Sequence, residues 1–311
     1  MTEQSVEDTR SLDNIEIGVG AWAWGDRFFW NYGGSYNDED IEAAFKACLD
    51  AGVNFFDTAE VYGQGRSEQI LGKLLKTTGK SVFIATKFFP YPWRFSKNSL
   101  HKALQNSLNR LQLDHVFLYQ IHWPLFLLPI ESLMDSMAKE VRSGKTIVIG
   151  VSNFNNSQTK RAYNALSNRQ IKLASNQVEY HLLNRQIEKN GLLARCRELG
   201  VRVIAYSPLA QGLLTGKYSP ESPPPGARGP RFSSLIKEIK PLLTLMTEIG
   251  NGHGNKTPSQ VALNWLICKG TLPIPGAKNL KQVQQNNGAV GWRLAKDEIL
   301  ALDTASDMIA K

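Results

Sequence analysis

Eight short runs rich in β-branched and aromatic residues recur along the chain, and nearly every gap between them holds a segment of helical period. The runs are IEIGVGAWAW, VNFFDTA, VFIATKF, HVFLYQIHW, IVIGVSNF, LASNQVEY, VRVIAYSPL and TLPIPGA. Between the first two, NDEDIEAAFKACLDAG places Ile41, Ala44, Phe45, Cys48 and Leu49 at i, i+3, i+4 spacing. Asn37 or Asp38 can cap its start and Gly52 can close its end. Near-continuous apolar strands alternating with helices demand a parallel sheet covered on its outer face. Eight such units in 311 residues fit a closed (β/α)8 barrel, which removes every sheet edge, better than an open sheet. The 42% apolar content suffices for one large core and no linker-like stretch divides the chain, so the expectation is a single domain over residues 1–311.

Several alternatives fail on context. GVGAWA, from Gly18, matches a dinucleotide fingerprint by letter, but it runs into WGDRFFWNYGG, which lacks the helical period needed to present a helix N-terminus to a pyrophosphate. GLLTGK, from Gly212 to Lys217, has the wrong spacing for a P-loop and places Tyr218 where a Ser or Thr would ligate magnesium. The longest apolar run, Val116 to Ile130, is too short to span a bilayer and contains Gln120 and His122, so no membrane association is expected. The polar, acid-containing N-terminus has no signal-peptide plan, and the three scattered cysteines do not read as a disulfide framework; both point to a cytoplasmic protein. The net charge of +8 is spread without an arm, finger or aromatic-interleaved stripe, so a small anionic ligand is expected rather than nucleic acid.

A barrel of this kind carries its chemistry at the C-terminal strand ends. The polar residues there are Asp57, Lys87, His122, Ser152 with Asn153, Gln177, and Tyr206 with Ser207, while Tyr62 follows Asp57 in a glycine-rich turn. Taken singly, Asp57 reads as a turn starter, Lys87 as a snorkelling strand end, His122 as a structural histidine and Tyr206 as a strand aromatic. Together they converge on one mouth. No cysteine nucleophile, Ser-His-Asp order or metal cluster is evident, and proton donation to a carbonyl oxygen suits the set. Free tyrosine, with a pKa of ~10, is a poor acid at neutral pH, and a neighbouring ammonium favours its phenolate. Asp57 can pair with Lys87, and neutral His122 can orient a carbonyl or assist proton transfer. No side chain donates a hydride, so a reduced nicotinamide is required.

DTAEVYGQGRSEQILGKLL, ATKF, QIHWP, GVSNF, QVEYHLL, AYSPLAQGLLTGKY and IPGAKNLKQVQQN resemble, in order, the successive motifs of the aldo-keto reductases over Ile15 to Asp303. The resemblance implies Tyr62 as general acid, Lys87 and Asp57 as its tuning pair, and His122 as the carbonyl-orienting partner. It implies Ser152, Asn153 and Gln177 on the nicotinamide carboxamide, Tyr206 stacked on the ring, and Ser207, Leu209, Gln211, Gly212 and Leu214 around the pyrophosphate with Lys217 nearby. Gly276, Ala277 and Lys278 are similar to the loop that meets the adenosine 2′-phosphate, and Gln282, Gln285 and Asn286 to the ribose and adenine contacts. Lys278 points to NADPH. Gln282 stands where many relatives carry arginine, so the phosphate clamp is weakened and some NADH use is expected.

Trp24, Phe29, Trp30, Trp93 and Trp123 follow the first, third and fourth strands, with Phe126 beyond them, and are expected to wall a pocket for an apolar or aromatic aldehyde or ketone. The Pro/Gly-rich stretch within about 207–241 is expected to be a movable loop over the cofactor, with Arg228 and Arg231 closing on it. A monomer is expected. Two other readings stay open: an NADPH-binding, redox-sensing accessory subunit with little turnover, and a Schiff-base lyase using Lys87.

Overall fold

The computed structural model describes residues 11–94, 96, 98–125, 128–224 and 228–309, with the side chains of Arg228 and Arg231 outside that description. Eight parallel strands form one sheet in chain order: β1 (Val19–Gly20), β2 (Phe55–Asp57), β3 (Phe83–Phe88), β4 (Val116–Ile121), β5 (Thr146–Ser152), β6 (Leu173–Glu179), β7 (Arg202–Tyr206) and β8 (Leu272–Pro273). Each lies within its expected run or overlaps it. The sheet closes between its ends, because the Gly18 and Gly20 N–H groups donate to the Pro273 and Pro275 carbonyls, each at 3.0 Å. A Cβ on Gly20 would stand 2.9 Å from the Ile274 carbonyl oxygen, so this close approach requires glycine there.

Helices fill the gaps on the outside. The helix Asp38–Asp50 begins at Asn37, whose side chain accepts from the Glu39 and Asp40 N–H groups in a capping box. It buries Ile41, Ala44, Phe45, Cys48 and Leu49 against the barrel, and each large apolar side chain so buried contributes roughly 1.5–3 kcal/mol. Strand alternation sorts the other face. Phe56 points outward, its ring packing at a tilt against Phe45 and Trp24, while its neighbours Phe55 and Asp57 point into the barrel. The barrel floor is an apolar plug of Leu12, Phe55, Ala85, Phe117, Leu118, Ile204, Leu272 and Ile274. One residue pair further along the strands, the interior becomes polar.

The 207–241 stretch departs from the expected loop. Ala210–Thr215 is a short helical turn, Arg228–Glu238 is a helix, and a second helix starts at Lys240. Gly229 and Pro230 fall in the first turn of the Arg228–Glu238 helix, and beyond them the Phe232, Leu235, Ile236 and Ile239 spacing has an apolar face to pack on the core. The expected roles of Arg228 and Arg231, like that of Phe126, lie outside the described residues. Among the described residues no helix is long and apolar enough to cross a membrane.

Candidate active site

The interior above the apolar plug holds Asp57, Lys87, Gln120 and Gln177; the register sets Lys87 beside Gln120, Asp57 beside Ala85 and Gln177 beside Ser152. The fully buried Lys87 ammonium donates to Asp57 Oδ2 at 2.5 Å, to the Thr58 carbonyl at 2.8 Å and to the Tyr62 hydroxyl at 3.3 Å. Asp57 Oδ1 accepts from Gln177 Nε2 at 2.7 Å and Gln120 Nε2 at 3.2 Å. Three donors therefore converge on one buried carboxylate, the compensation an ion needs away from water. Tyr62 enters from the turn after β2, where Gly63 and Gln64 take left-handed conformations (φ 54° and 56°) that fold the chain back over the barrel mouth.

The electrostatics correct one expectation. Burial pushes the Tyr62 hydroxyl above the ordinary phenol range, and the opposing pull of Lys87 does not overcome it. The phenol is thus held protonated. Burial works against the Lys87 charge, but Asp57 and Tyr62 together keep its pKa above the usual lysine value. His122 sits edge-to-face against Tyr62, with ring centroids 5.7 Å apart, and against Phe89 at 5.6 Å. Burial, reinforced by Lys87, drives its pKa down to about 3, so the ring is neutral at physiological pH. Its Nδ1 is buried with no hydrogen-bond partner among the described residues.

From this corner a cavity of about 950 Å³ runs across the C-terminal mouth. Its wall includes Ser152, Asn153, Gln177, Tyr206, Ser207, Leu209, Gln211, Gly212 and Lys217, then Gly276, Lys278, Gln282, Gln285 and Asn286. The Tyr206 hydroxyl donates to Asn153 Oδ1 at 3.1 Å, and Asn153 Nδ2 donates to Ser152 Oγ and to the His122 carbonyl, each at 3.1 Å. After β7 the backbone enters the left-handed region at Ser207, Ala210, Gln211 and Gly212, curving round the cavity. An elongated ligand with an aromatic head, a polyanionic middle and a basic-seeking tail fits this succession of ring, curved backbone and lysines. Leu214 and Ala277 are buried behind the wall and do not line it. Gln282 Oε1 accepts from the Lys278 N–H at 2.8 Å, so this residue braces the loop.

A sequence profile described as the Aldo/keto reductase family matches residues 16–307. The chain belongs to the aldo/keto reductase family. It is 41% identical over 303 residues to the chloroplastic pyridoxal reductase of Arabidopsis thaliana, covering 93% of this chain and 82% of the relative. Among solved structures, the Klebsiella pneumoniae aldo/keto reductase in complex with NADP and acetate superposes with TM-score 0.71 at 30% identity, covering 93% of this chain and 90% of the other. The Gluconobacter oxydans glycerol dehydrogenase gives TM-score 0.83 at 28% identity, covering 95% and 93%. The chain is therefore an oxidoreductase of NADP-linked type, built as the barrel expected from its strand pattern.

The aromatic wall of this reductase is only partly the expected one. Trp30 and Trp123 line the cavity. Trp24 does not: it is fully buried, packs at a tilt against Phe56 and donates its Nε1–H to the Ala277 carbonyl at 2.8 Å. Phe29 stacks on Trp22 at 5.1 Å outside the lining, and Trp93, 67% exposed, stacks on Tyr91 beyond the mouth. The residue missing from the expected set is Trp22, which lines the cavity with its ring 6.2 Å from Tyr62. Gln120, also missing from that set, was legible, as the one polar residue inside the apolar β4 run and two positions before His122.

Proposed function

We propose that this chain catalyses NADPH-dependent reduction of aldehydes and ketones to alcohols, with Tyr62 as the general acid. The observation that carries the reading is the Asp57–Lys87–Tyr62 chain at the cavity floor, with the ammonium 3.3 Å from the phenol oxygen. When bound, a reduced nicotinamide supplies the hydride that reaches the carbonyl carbon. Tyr62, kept protonated by burial, gives its proton to the carbonyl oxygen, completing the alcohol. Lys87 stabilises the phenolate this leaves, and Asp57 holds that ammonium charged and in place. Neutral His122 offers a ring nitrogen to the carbonyl and orients it without competing for the proton.

Ser152, Asn153, Gln177 and Tyr206 are read as holding the nicotinamide, the curved segment from Ser207 to Lys217 the pyrophosphate, and Lys278 the 2′-phosphate, with NADH a weaker cofactor for want of that contact. Pyridoxal, an aromatic aldehyde, is the substrate class suggested by the 41% identical relative, and Trp22, Trp30 and Trp123 supply flat apolar walls for its ring. We infer one catalytic domain working without a partner subunit, and the three unpaired thiols suit a reducing compartment such as the cytoplasm. Schiff-base chemistry at Lys87 is disfavoured, because a fully buried, ion-paired ammonium is not a nucleophile. The test is Tyr62→Phe. Steady-state oxidation of NADPH with pyridoxal and 4-nitrobenzaldehyde should fall by ~100-fold or more while NADPH affinity stays within about twofold. Near-native turnover in the variant refutes the assignment, and absence of turnover in the unaltered protein favours an accessory, cofactor-sensing role.

A further inference from the structure

Lys278 lines the cavity together with Lys281, and two aromatic rings of the segment after β1 pack against its ammonium. Its ammonium lies 4.6 Å from the Tyr36 ring centroid and 5.3 Å from that of Trp30. Both rings are fixed independently of the lysine. Tyr36 is buried, donates its hydroxyl to the Ala23 carbonyl and packs edge-on against Tyr32 at 5.8 Å. Trp30 packs edge-on against Trp22 at 5.5 Å and Phe29 at 5.0 Å. The backbone around the lysine is pinned as well, through Trp24 Nε1 on the Ala277 carbonyl and Gln282 Oε1 on the Lys278 N–H.

We propose that Trp30 and Tyr36 form an aromatic cage that pre-positions the Lys278 ammonium on the cavity wall, and so act as positioning residues that set the preference for a 2′-phosphorylated nicotinamide cofactor. A lysine in solvent samples many rotamers and must be ordered when it meets an anion. Here the electron-rich ring faces order it beforehand, and a ring face, unlike a carboxylate, brings no counter-charge against the ammonium charge. A cofactor lacking the phosphate does not draw on that charge. The cage therefore acts on the ratio of NADPH to NADH affinity and leaves NADH binding alone. Gln282, engaged by the backbone, does not substitute for it.

The inference rests on Lys278 meeting the phosphate, and calorimetric titration of NADPH and NADH separates the two claims. Lys278→Met should lower the NADPH:NADH affinity ratio by about tenfold or more. An unchanged ratio overturns the phosphate contact itself. Given that fall, Tyr36→Leu should lower the ratio by ~3- to 10-fold, with Tyr36→Phe, which keeps the ring, leaving it unchanged. Trp30→Leu should reproduce the loss at a half-buried site should Tyr36→Leu fail to fold. In a Lys278→Met background neither cage change should move the ratio further. A ratio that is unchanged or raised by the cage variants, or one that falls equally in the Lys278→Met background, overturns the cage.

Discussion

Replacing Asp57 by asparagine removes one charge and changes almost no volume, so it isolates the electrostatics on which the candidate site depends. In the native protein three donors meet that carboxylate: Lys87 Nζ at 2.5 Å, Gln177 Nε2 at 2.7 Å and Gln120 Nε2 at 3.2 Å. An amide offers one acceptor oxygen to those three, turns its own NH2 toward a donor, and leaves the fully buried ammonium uncompensated. Removing one partner of such a pair costs roughly 3–5 kcal/mol. With unfolding entropy near ~2.1 cal/mol/K per residue, or about 0.65 kcal/mol/K for 311 residues, the melting temperature should fall by ~5–8 °C at pH 7.

The pH dependence carries the sharper signature. In the native protein the Lys87 pKa is raised, so its contribution to stability is fully present below the unfolded lysine value of ~10.4 and is lost only as pH rises through the higher folded one. In Asp57→Asn the compensating charge is gone and burial dominates, so the folded pKa drops below the unfolded value. The deficit is then largest at neutral pH and shrinks as pH rises and Lys87 gives up its proton. Thermal melts followed by circular dichroism at pH 7 and 9.5 should show the gap to the native protein narrowing. A native melting temperature at pH 7, or a gap that widens with pH, refutes the reasoning.

Two further outcomes follow from the geometry. His122, with its pKa lowered to about 3, contributes stability that is present above the unfolded histidine value of ~6.5 and lost as pH falls toward 3, so His122→Gln should flatten the acid limb of the stability curve between those values; an unchanged limb in urea titrations refutes the burial assignment. A Cβ at Gly72 would lie 2.5 Å from the Arg110 carbonyl oxygen and 2.7 Å from that of Leu111, both backbone atoms, so Gly72→Ala should destabilise by ~1–3 kcal/mol in chemical denaturation, and a neutral effect refutes this close helix approach.

The inward placement of Asp57 was legible because strand alternation is local: once Phe55 faces the plug, Asp57 must face the same interior two residues on. The same rule reaches Lys87 from Ala85 and Gln120 from Leu118. The aromatic wall was not legible in this way. Trp22 and Trp24 lie beyond the two residues of β1, in irregular backbone where period two no longer holds, and the structure sends Trp22 into the cavity and Trp24 into the core. The sign of the Tyr62 shift was misjudged for a related reason. A neighbouring ammonium can be inferred from residue types, but the depth of burial that outweighs it depends on everything packed around the ring.

Residue order alone settled the alternation of strands and helices, the parallel barrel it requires, and the titratable residues at the strand ends, because each follows from periodicities of two and 3.6 within a few residues. Tertiary structure alone decided which aromatic rings face the cavity, that Gln120 and Gln177 share one carboxylate with Lys87, and that Tyr36 and Trp30 close on a lysine more than 240 positions away. Those are meetings between segments remote in the chain. They are set by barrel closure and packing, which no local pattern encodes.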